Sequence, residues 1–290
     1  MSAFCNAGMD ILGPDSLQPF AENIVVNVTT SALIILGGIG FPVWWSVLAA
    51  FRYKKERRCT WKKAIHHMDL HAKLVLFMTI FLLLSGTFLV FIMEYTNPDT
   101  LGGLSLGGRI QAAFFQSVTT RTAGFFTIPQ AALRKGTAFV CCLFMFIGGS
   151  PSGTAGGVKT TTVAILVMTV YSIIAGRNET EMFGRRVGEN GVRKVLSIFM
   201  VSFAAMLISV TALSVAQGGN FLDCLYESVS AIATVGLSRD LTTQLNAAGQ
   251  IIIIFTMYLG RIGPISLALF FNSKRFVNVK KYPEERVGIG

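Results

Sequence analysis

The chain has 290 residues, of which 52% are hydrophobic and only 14% are charged, yet its formal net charge is +10. This composition indicates a membrane protein, because each helix that crosses a bilayer core needs about 20 mostly apolar residues. It disfavours a nucleic-acid-binding protein, because the basic runs directly adjoin apolar segments, and no serine–histidine–aspartate or cysteine–histidine arrangement favours an enzyme.

In chain order, the sequence predicts five apolar spans with two shorter apolar segments between them. The spans are roughly 23–51, 73–95, 137–175, 195–217 and 248–272. The shorter segments, near 110–120 and 221–232, cannot cross a bilayer and fit re-entrant pore helices. Re-entrant backbone survives at membrane depth only where protein or water surrounds it. The predicted fold is therefore an all-α membrane protein.

A short motif that contains glycine recurs along the chain. It reads Asn6-Ala7-Gly8-Met9, Thr122-Ala123-Gly124-Phe125 and Thr234-Val235-Gly236-Leu237. Upstream, Gln116-Ser117-Val118 matches Glu227-Ser228-Val229, and Ser2-Ala3 matches Ser230-Ala231. Self-similarity of this kind indicates an internal structural repeat.

Each motif is suited to bind a cation with backbone oxygens. A strip of carbonyl groups can replace the hydration shell of an alkali cation, and glycine permits the left-handed or extended angles that aim successive carbonyls at one axis. The helix before each strip directs its partly negative C-terminus at the cation. Four strips would enclose a pore, and this chain has three. The predicted K+ filter comprises Cys5, Asn6, Ala7, Gly8, Arg121, Thr122, Ala123, Gly124, Ala233, Thr234, Val235 and Gly236.

One filter position, Arg121, carries a positive charge. A cation that pointed into a cation pathway would block it, so we expect this side chain to point outward to a carboxylate. Glu227 and Asp10 are the two candidates, and the sequence does not choose between them.

Basic residues concentrate in the segments 52–67 and 176–194 and in the tail after 273. These segments lie on one side of the membrane if each repeat is a helix, a re-entrant pore loop and a second helix. The positive-inside rule makes that side cytoplasmic, so that the filters enter from outside.

The predicted domain boundaries follow these repeats. Residues 1–51 end a second repeat with a filter and its following helix, and 52–72 form a basic cytoplasmic loop. Residues 73–176 form a third repeat, 177–194 a cytoplasmic loop, 195–273 a fourth repeat and 274–290 a basic cytoplasmic tail. Because the first of these repeats lacks its leading helix, we expect the chain to be the C-terminal part of a longer transporter.

The segment 148–162, Gly-Gly-Ser-Pro-Ser-Gly-Thr-Ala-Gly-Gly-Val-Lys-Thr-Thr-Thr, interrupts an apolar span. Its small residues and Pro151 sustain a helix poorly, and a broken helix at this depth fits a position just below the filter. A phosphate-binding P-loop is disfavoured, because Val158 separates Gly157 from Lys159. Lys159 and Arg261 are ionisable groups within spans and hence functional candidates, unless they only snorkel or pair with carbonyl groups.

Together these motifs, with Gly260-Arg261-Ile262-Gly263-Pro264, resemble the Trk/Ktr/HKT superfamily of potassium uptake proteins, and most of all the bacterial Ktr/Trk membrane subunit. The resemblance covers essentially the whole chain. It implies four helix–pore-loop–helix repeats around one pore, a multi-pass homodimer in the bacterial cytoplasmic membrane, and a cytosolic ring of nucleotide-binding regulatory subunits. It also implies an intramembrane gating loop at 148–157 with an arginine against it. The predicted gate comprises Gly148, Gly149, Ser150, Gly153, Thr154, Gly156, Gly157, Lys159 and Arg261.

The predicted function is therefore potassium uptake through a carbonyl-lined filter that this loop and Arg261 gate. The alternative is a truncated, non-conducting fragment that acts only in assembly or in binding the regulatory subunit. K+ is the expected transported ion, with Na+ as the alternative. No cofactor is predicted, and the expected partners are a second copy of the chain, the regulatory ring and the lipid bilayer, without nucleic acid.

Overall fold

The computed structural model describes residues 1–58, 60–177 and 179–263, and the described part is almost entirely helical. The α-helices are α1 (Ile24–Gly38), α2 (Phe41–Arg57), α3 (Trp61–His67), α4 (Leu70–Glu94), α5 (Leu106–Thr119), α6 (Lys135–Phe146), α7 (Thr160–Ile174), α8 (Glu189–Gln217), α9 (Phe221–Ile232) and α10 (Ala247–Ile262). Short helical turns lie at Gln18–Phe20, Pro98–Gly102 and Thr242–Gln244. A small antiparallel hairpin is formed by β1 (Thr180–Met182) and β2 (Arg185–Val187).

Among the described residues, α4 and α8 are each long and apolar enough to cross a membrane. α4 has 25 residues, and at 1.5 Å per residue its length of about 37 Å exceeds a hydrocarbon core of about 30 Å. α6, α7 and α10 are shorter apolar helices. The prediction of an all-α membrane protein is confirmed.

The predicted span 23–51 is not one straight helix, and this part of the prediction is wrong. α1 and α2 meet at an angle of 96°. Gly40, the N-cap of α2, has a φ of +93°, and Pro42 follows where a continuing helix would need an N–H donor. The apolar composition continues through the bend, which hides it from a search for long apolar runs.

The predicted span 137–175 is divided into α6 and α7, with residues 147–159 between them. We call these residues the 147–159 loop. It has no helix of its own, and its N-terminal and C-terminal parts run together: the N–H of Gly148 donates to the carbonyl oxygen of Val158 at 3.0 Å, and the N–H of Gly149 donates to that of Gly156 at 3.2 Å. Glycines allow the two parts to approach, because an added Cβ on Gly149 would overlap the side chain of Ala155.

The two short helices α5 and α9 are the helices that precede the second and third motifs. Each begins at a side-chain cap, since Ser105 accepts from the N–H of Gly108 and Asn220 accepts from that of Leu222. α5 packs against α1 and α4, whereas α9 packs against α6, α8 and α10. At the start of α5, the exposed carboxylate of Glu22 accepts from the N–H and the hydroxyl of Ser105, and these hydrogen bonds lower its pKa below the ordinary value.

The segments predicted to be cytoplasmic loops are more ordered than expected. α2 continues to Arg57, and the helix α3 forms about half of the remainder of 52–72. The segment 177–194 contains the hairpin and the first turns of α8, which begins at Glu189. The tail 274–290 and Pro264 lie outside the described residues.

Candidate ion-conduction site

The three glycine motifs, which lie far apart in sequence, meet at one place in the fold. Gly124 lies between the other two motif glycines. A Cβ added to Gly124 would lie 3.0 Å from the Cα of Gly8 and 3.7 Å from that of Gly236. The same added Cβ would lie 2.7 Å from the carbonyl oxygen of Val235. We call the three segments 5–8, 121–124 and 233–236 strips A, B and C.

All three strips share an unusual backbone conformation. In each, the glycine and the residue two positions before it have positive φ values. The non-glycine members are Asn6 (50°), Thr122 (67°) and Thr234 (55°), and the glycines are Gly8 (62°), Gly124 (84°) and Gly236 (89°). A left-handed conformation costs a residue with a side chain about 1–2 kcal/mol, so its repetition in three strips indicates a function that requires it.

Strips A and C also share their backbone hydrogen bonds. The N–H of Ala7 donates to the carbonyl oxygen of Ser2 at 3.1 Å, and the N–H of Val235 donates to that of Ser230 at 2.8 Å. These are the serines that align in the sequence. In strip B the corresponding hydrogen bond spans one residue fewer: the N–H of Ala123 donates to the carbonyl oxygen of Thr119 at 3.0 Å.

Most carbonyl oxygens of the strips are free. No described residue donates a hydrogen bond to the carbonyl oxygens of Asn6, Ala7, Gly8, Thr122, Ala123, Gly124, Ala233, Thr234, Val235 and Gly236. The carbonyl oxygen of Arg121 differs, because it accepts from the side-chain amide of Asn6 at 3.3 Å. Backbone carbonyls away from bulk water need a partner, and an alkali cation supplies one.

Helix ends add to the favourable potential for a cation. α5 ends at Thr119 and α9 ends at Ile232, directly before strips B and C. The last carbonyl groups of a helix carry about half an elementary negative charge. Both helix ends therefore favour a cation beside the strips. Within strip A, Cys5 and Ala7 are exposed, whereas every residue of strip B is buried.

The 147–159 loop contacts all three strips. The hydroxyl of Thr154 lies 3.2 Å from Oδ1 of Asn6 in strip A, and 3.2 Å from the carbonyl oxygen of Phe4, the residue just before that strip. The N–H of Gly156 donates to the hydroxyl of Thr122 in strip B at 3.2 Å. A Cβ on Gly156 would overlap the side chain of Thr234 in strip C. The loop thus closes one side of the place where the strips meet.

The bend between α1 and α2 holds the other part of the loop. The N–H groups of Ser150 and Thr154 donate to the carbonyl oxygens of Gly38 and Gly37, at 3.1 and 3.2 Å. These two carbonyl groups have no partner within α1, because the helix ends there, and so they can accept from the loop. Gly153 packs against the same carbonyl groups, since an added Cβ would lie 3.0 Å from the oxygen of Gly38.

The end of the loop is tied to the start of α7. The hydroxyl of Ser150 lies 3.2 Å from that of Thr160, and both side chains are buried. The ammonium of Lys159 donates to the carbonyl oxygen of Ala155 at 2.7 Å. Gly157 has a φ of +68° and packs on Gly148. The predicted gate residues of the loop therefore form one connected unit.

Arg261 lines a cavity together with part of this unit. The cavity has a volume of about 600 Å³ and is lined by the second half of the loop and by Lys159, Lys194 and Arg261. The guanidinium of Arg261 is exposed and donates no hydrogen bond to any described residue. The resemblance implies an arginine against the loop. Arg261 and the second half of the loop line the same cavity, but among the described residues no hydrogen bond joins them.

Neither Glu227 nor Asp10 pairs with Arg121, so the prediction of a partner at one of these two residues is wrong. The guanidinium is buried, and its one hydrogen bond to a described residue, to the hydroxyl of Thr79, is long at 3.4 Å. Glu227 instead accepts from the hydroxyls of Ser238 and Thr242, and Asp10 accepts from Ser16. Arg121 does point away from the strips, toward α4.

Sequence reasoning missed a buried network behind strips B and C. The side-chain amides of Gln116 and Gln130 exchange hydrogen bonds of 2.8 and 3.0 Å, and the hydroxyl of Tyr226 donates to Gln130 at 2.8 Å. These bonds join α5 to α9. One feature of the sequence could have indicated this network. Gln116 and Glu227 occupy matching positions before strips B and C, and each side chain bonds to the segment that follows its strip.

Arg239, three residues after strip C, was also missed. Its Nε donates to the carboxylate of Asp223 at 2.8 Å. Its terminal nitrogens donate to three carbonyl groups in the segment after strip B, those of Gln130, Ala131 and Leu133. One side chain therefore joins the segments that follow two strips. Nothing in the sequence distinguishes it from other basic residues.

Comparison with known proteins shows which family this chain is similar to. The family profile described as TrkH, cation transport protein, matches residues 1–278. Ktr system potassium uptake protein B of Bacillus subtilis is 36% identical over 290 residues, which cover 100% of this chain and 62% of the relative. The protein of the same name from Vibrio alginolyticus is also 36% identical, with 100% and 61% covered. Potassium/sodium uptake protein NtpJ of Enterococcus hirae is 35% identical over 298 residues, with 100% and 62% covered.

A solved structure shows the same fold. The crystal structure of the potassium transporter TrkH from Vibrio parahaemolyticus matches with a TM-score of 0.73 and 17% sequence identity. The match covers 93% of this chain and 56% of that chain. The chain thus spans only about three fifths of the length of the curated relatives it matches.

Proposed function

The chain belongs to the TrkH family of cation transport proteins, and from this premise we propose that it forms most of a potassium uptake pathway in the bacterial cytoplasmic membrane. In this proposal strips A, B and C bind dehydrated K+ with their backbone oxygens. The names of the relatives support potassium as the transported ion, and one relative, the potassium/sodium uptake protein, keeps Na+ as the alternative.

One observation carries this proposal: three strips with the same alternating left-handed backbone meet at their glycines and leave most of their carbonyl oxygens unbonded within the described residues. A cation filter needs this arrangement, because the oxygens must replace the hydration shell of the ion. A purely structural turn would instead bond its carbonyls internally.

We further propose that the 147–159 loop is the gate. Its contacts with the strips come from single hydroxyl and N–H groups, each with a net contribution of about 1 kcal/mol. A few such bonds leave a closed and an open arrangement within reach of each other. Arg261 and Lys159 would add positive charge to the cavity below the loop and so disfavour cations there while the loop is closed.

The proposed orientation places the strips toward the outside and the segments 52–67 and 176–194 in the cytoplasm, because these segments are the basic ones. The proposed assembly is a homodimer that binds a cytosolic ring of regulatory subunits, as the resemblance implies. Impermeant thiol reagents test the orientation. Cysteines introduced between Thr100 and Gly107 should react from outside, and a cysteine at Glu189 should not.

Complementation of potassium-starved cells tests the transport proposal. Bacterial cells without their own potassium uptake systems would express this chain, or a chimera in which the chain replaces its aligned region of the Bacillus subtilis relative. We expect the chimera to restore growth at low potassium. A chimera that inserts in the membrane but restores no potassium uptake would contradict the proposal. Growth of cells that express the chain alone would indicate a conducting subunit, whereas growth with the chimera only would indicate a chain that acts in assembly.

A further inference from the structure

The basic residues between α2 and α4, which the proposed transport mechanism does not use, line a pocket at the N-terminal end of α4. The pocket has a volume of about 550 Å³ and lies between the end of α2, the helix α3 and the hairpin. Its lining residues are Tyr53, Lys62, Lys63, His66, His67 and Arg185. Three fixed positive charges and two imidazoles therefore surround one concavity, which we call the basic pocket.

The charges of the basic pocket are not compensated by the described protein. No aspartate or glutamate among the described residues lines it, and no described carboxylate forms an ion pair with Lys62, Lys63 or Arg185. Like charges that share a concavity repel one another. An anion with several acceptor oxygens removes this repulsion, and arginine and lysine are the usual donors to a phosphate group.

An apolar groove continues from the basic pocket. The groove has a volume of about 390 Å³ and shares Lys62 and His66 with the pocket. Its other lining residues are Ile65, Met68, Lys73, Leu76, Phe77 and Phe183. The ammonium of Lys73 is already bonded to the carbonyl oxygen of His66 at 2.8 Å. The groove therefore presents mainly hydrocarbon.

The direction of the groove suits a lipid. Leu76 and Phe77 belong to the spanning helix α4, and half-exposed rings of Phe77 and Phe183 lie 6.2 Å apart. The groove thus runs from the charged pocket onto the side of α4, a helix long and apolar enough to cross a membrane. A soluble phosphate compound would use the pocket and leave this apolar surface uncovered, whereas a phospholipid would cover both.

The helix α3 has the character of a helix at a membrane surface. Trp61 and Ile65 are exposed on it, and the ammonium of Lys54 lies 3.7 Å from the centre of the Trp61 ring. Tryptophan and basic residues are enriched where a membrane meets water, and basic clusters next to a spanning helix attract anionic lipids.

We propose that the basic pocket and its groove bind one anionic phospholipid, with the phosphate among Lys62, Lys63 and Arg185 and an acyl chain against Phe77 and Phe183. The cytoplasmic leaflet follows from the proposed orientation, but the binding itself does not depend on transport. A membrane rich in anionic lipid would then hold α3 and the hairpin against the start of α4.

Binding of a defined lipid to the purified full chain tests this proposal. Phosphatidylglycerol and phosphatidylcholine with identical acyl chains would be titrated into the protein in neutral detergent, and bound lipid would be counted by native mass spectrometry. We expect tighter binding of phosphatidylglycerol, and about 25-fold weaker binding after Lys62→Gln with Arg185→Gln, because each basic residue near an anionic lipid surface contributes about fivefold.

The matched control removes two charges that lie at the C-terminal end of α2, outside the pocket. Lys55→Gln with Arg57→Gln changes exposed residues and should leave phosphatidylglycerol binding nearly unchanged. Lys62→Arg with Arg185→Lys replaces the same two side chains but keeps their charge, and it should retain binding. Retained binding would show that the loss in the glutamine variant comes from the missing charge and not from a folding defect. Phe183→Ala should weaken binding of the lipid but not of inorganic phosphate.

Three results would overturn the proposal. Equal losses in the two glutamine variants would show diffuse attraction without a site. Equal binding of the two lipids would show that the pocket does not recognise the phosphate charge. Inorganic phosphate that displaces phosphatidylglycerol at equal concentration would show that the groove contributes nothing and that the ligand is a soluble anion.

Discussion

The buried Arg121 and the partly buried Arg239 show how differently one side chain can be accommodated. Arg239 has a carboxylate and three carbonyl groups as partners, whereas Arg121 has one weak contact to Thr79. A buried charge without a partner is costly, and its replacement by an apolar residue of similar volume is often neutral or stabilising. The contrast predicts that Arg121 contributes little to the stability of the fold.

The two arginines should therefore respond oppositely to the same substitution. Arg239→Met should lower the free energy of unfolding by about 2 kcal/mol, because it removes hydrogen bonds that involve charged groups. Arg121→Met should leave it unchanged or raise it. Thermal unfolding of both variants in one detergent provides the measurement. A larger loss from Arg121→Met would show that its surroundings compensate the charge.

Arg261 should act through its charge rather than through hydrogen bonds, because it lines the cavity without a bond to any described part of the loop. Arg261→Ala should increase potassium flux through the chimera, and Arg261→Lys should stay near the wild-type flux because it keeps the charge. Isotope uptake into cells measures both. An Arg261→Lys flux equal to that of Arg261→Ala would instead indicate that the guanidinium geometry matters.

At the scale of elements, the 147–159 loop and its contacts explain why α6 and α7 are short. The break between them places N–H and hydroxyl groups against strips A and B, while the bend at Gly40 supplies free carbonyls from α1. Two interrupted helices thus satisfy each other's backbone groups. This mutual arrangement is how irregular backbone survives at membrane depth.

Thr154→Val should release the loop from strip A. The hydroxyl of Thr154 lies within hydrogen-bond distance of two acceptors, on Phe4 and Asn6. It can donate to only one of them at a time, so a loss of about 1 kcal/mol should raise the open population by about fivefold. Potassium flux through the chimera measures this population. Thr211→Val is the matched control, since Thr211 is exposed and its hydroxyl bonds only to Leu207 within α8. Equal flux in the two variants would contradict a gating role for the loop.

The elements that local composition determines could be predicted, and those that depend on tertiary partners could not. The pore helix predicted at 221–232 coincides with α9, because a short apolar run with an asparagine cap specifies it locally. The 96° bend after α1 was missed, because Gly40 and Pro42 lie in an unbroken apolar run. The partners of Arg121 and Arg239 depend on residues far away in the chain, so no local pattern could identify them.

At the scale of the whole molecule, the strips, the loop and the bend form one connected centre between long helices. Gly124 lies between the other two motif glycines, so strip B is covered on two sides by its neighbours, whereas strip C has the more open glycine. Residues that are far apart in sequence therefore depend on each other at this centre. A change that displaces strip B should disturb all three strips.

The ratio of potassium to sodium flux through the chimera in vesicles tests this account most directly. Gly124→Ala would place a Cβ 2.7 Å from the carbonyl oxygen of Val235 and 3.0 Å from the Cα of Gly8, in addition to about 1–2 kcal/mol of strain at positive φ. Gly218→Ala is the control, because Gly218 has a φ of +65° with nothing within 4 Å of an added Cβ. We predict that Gly124→Ala lowers the flux ratio by roughly tenfold or more and that Gly218→Ala leaves it unchanged. An unchanged ratio in Gly124→Ala would contradict the assignment of the three strips as the filter.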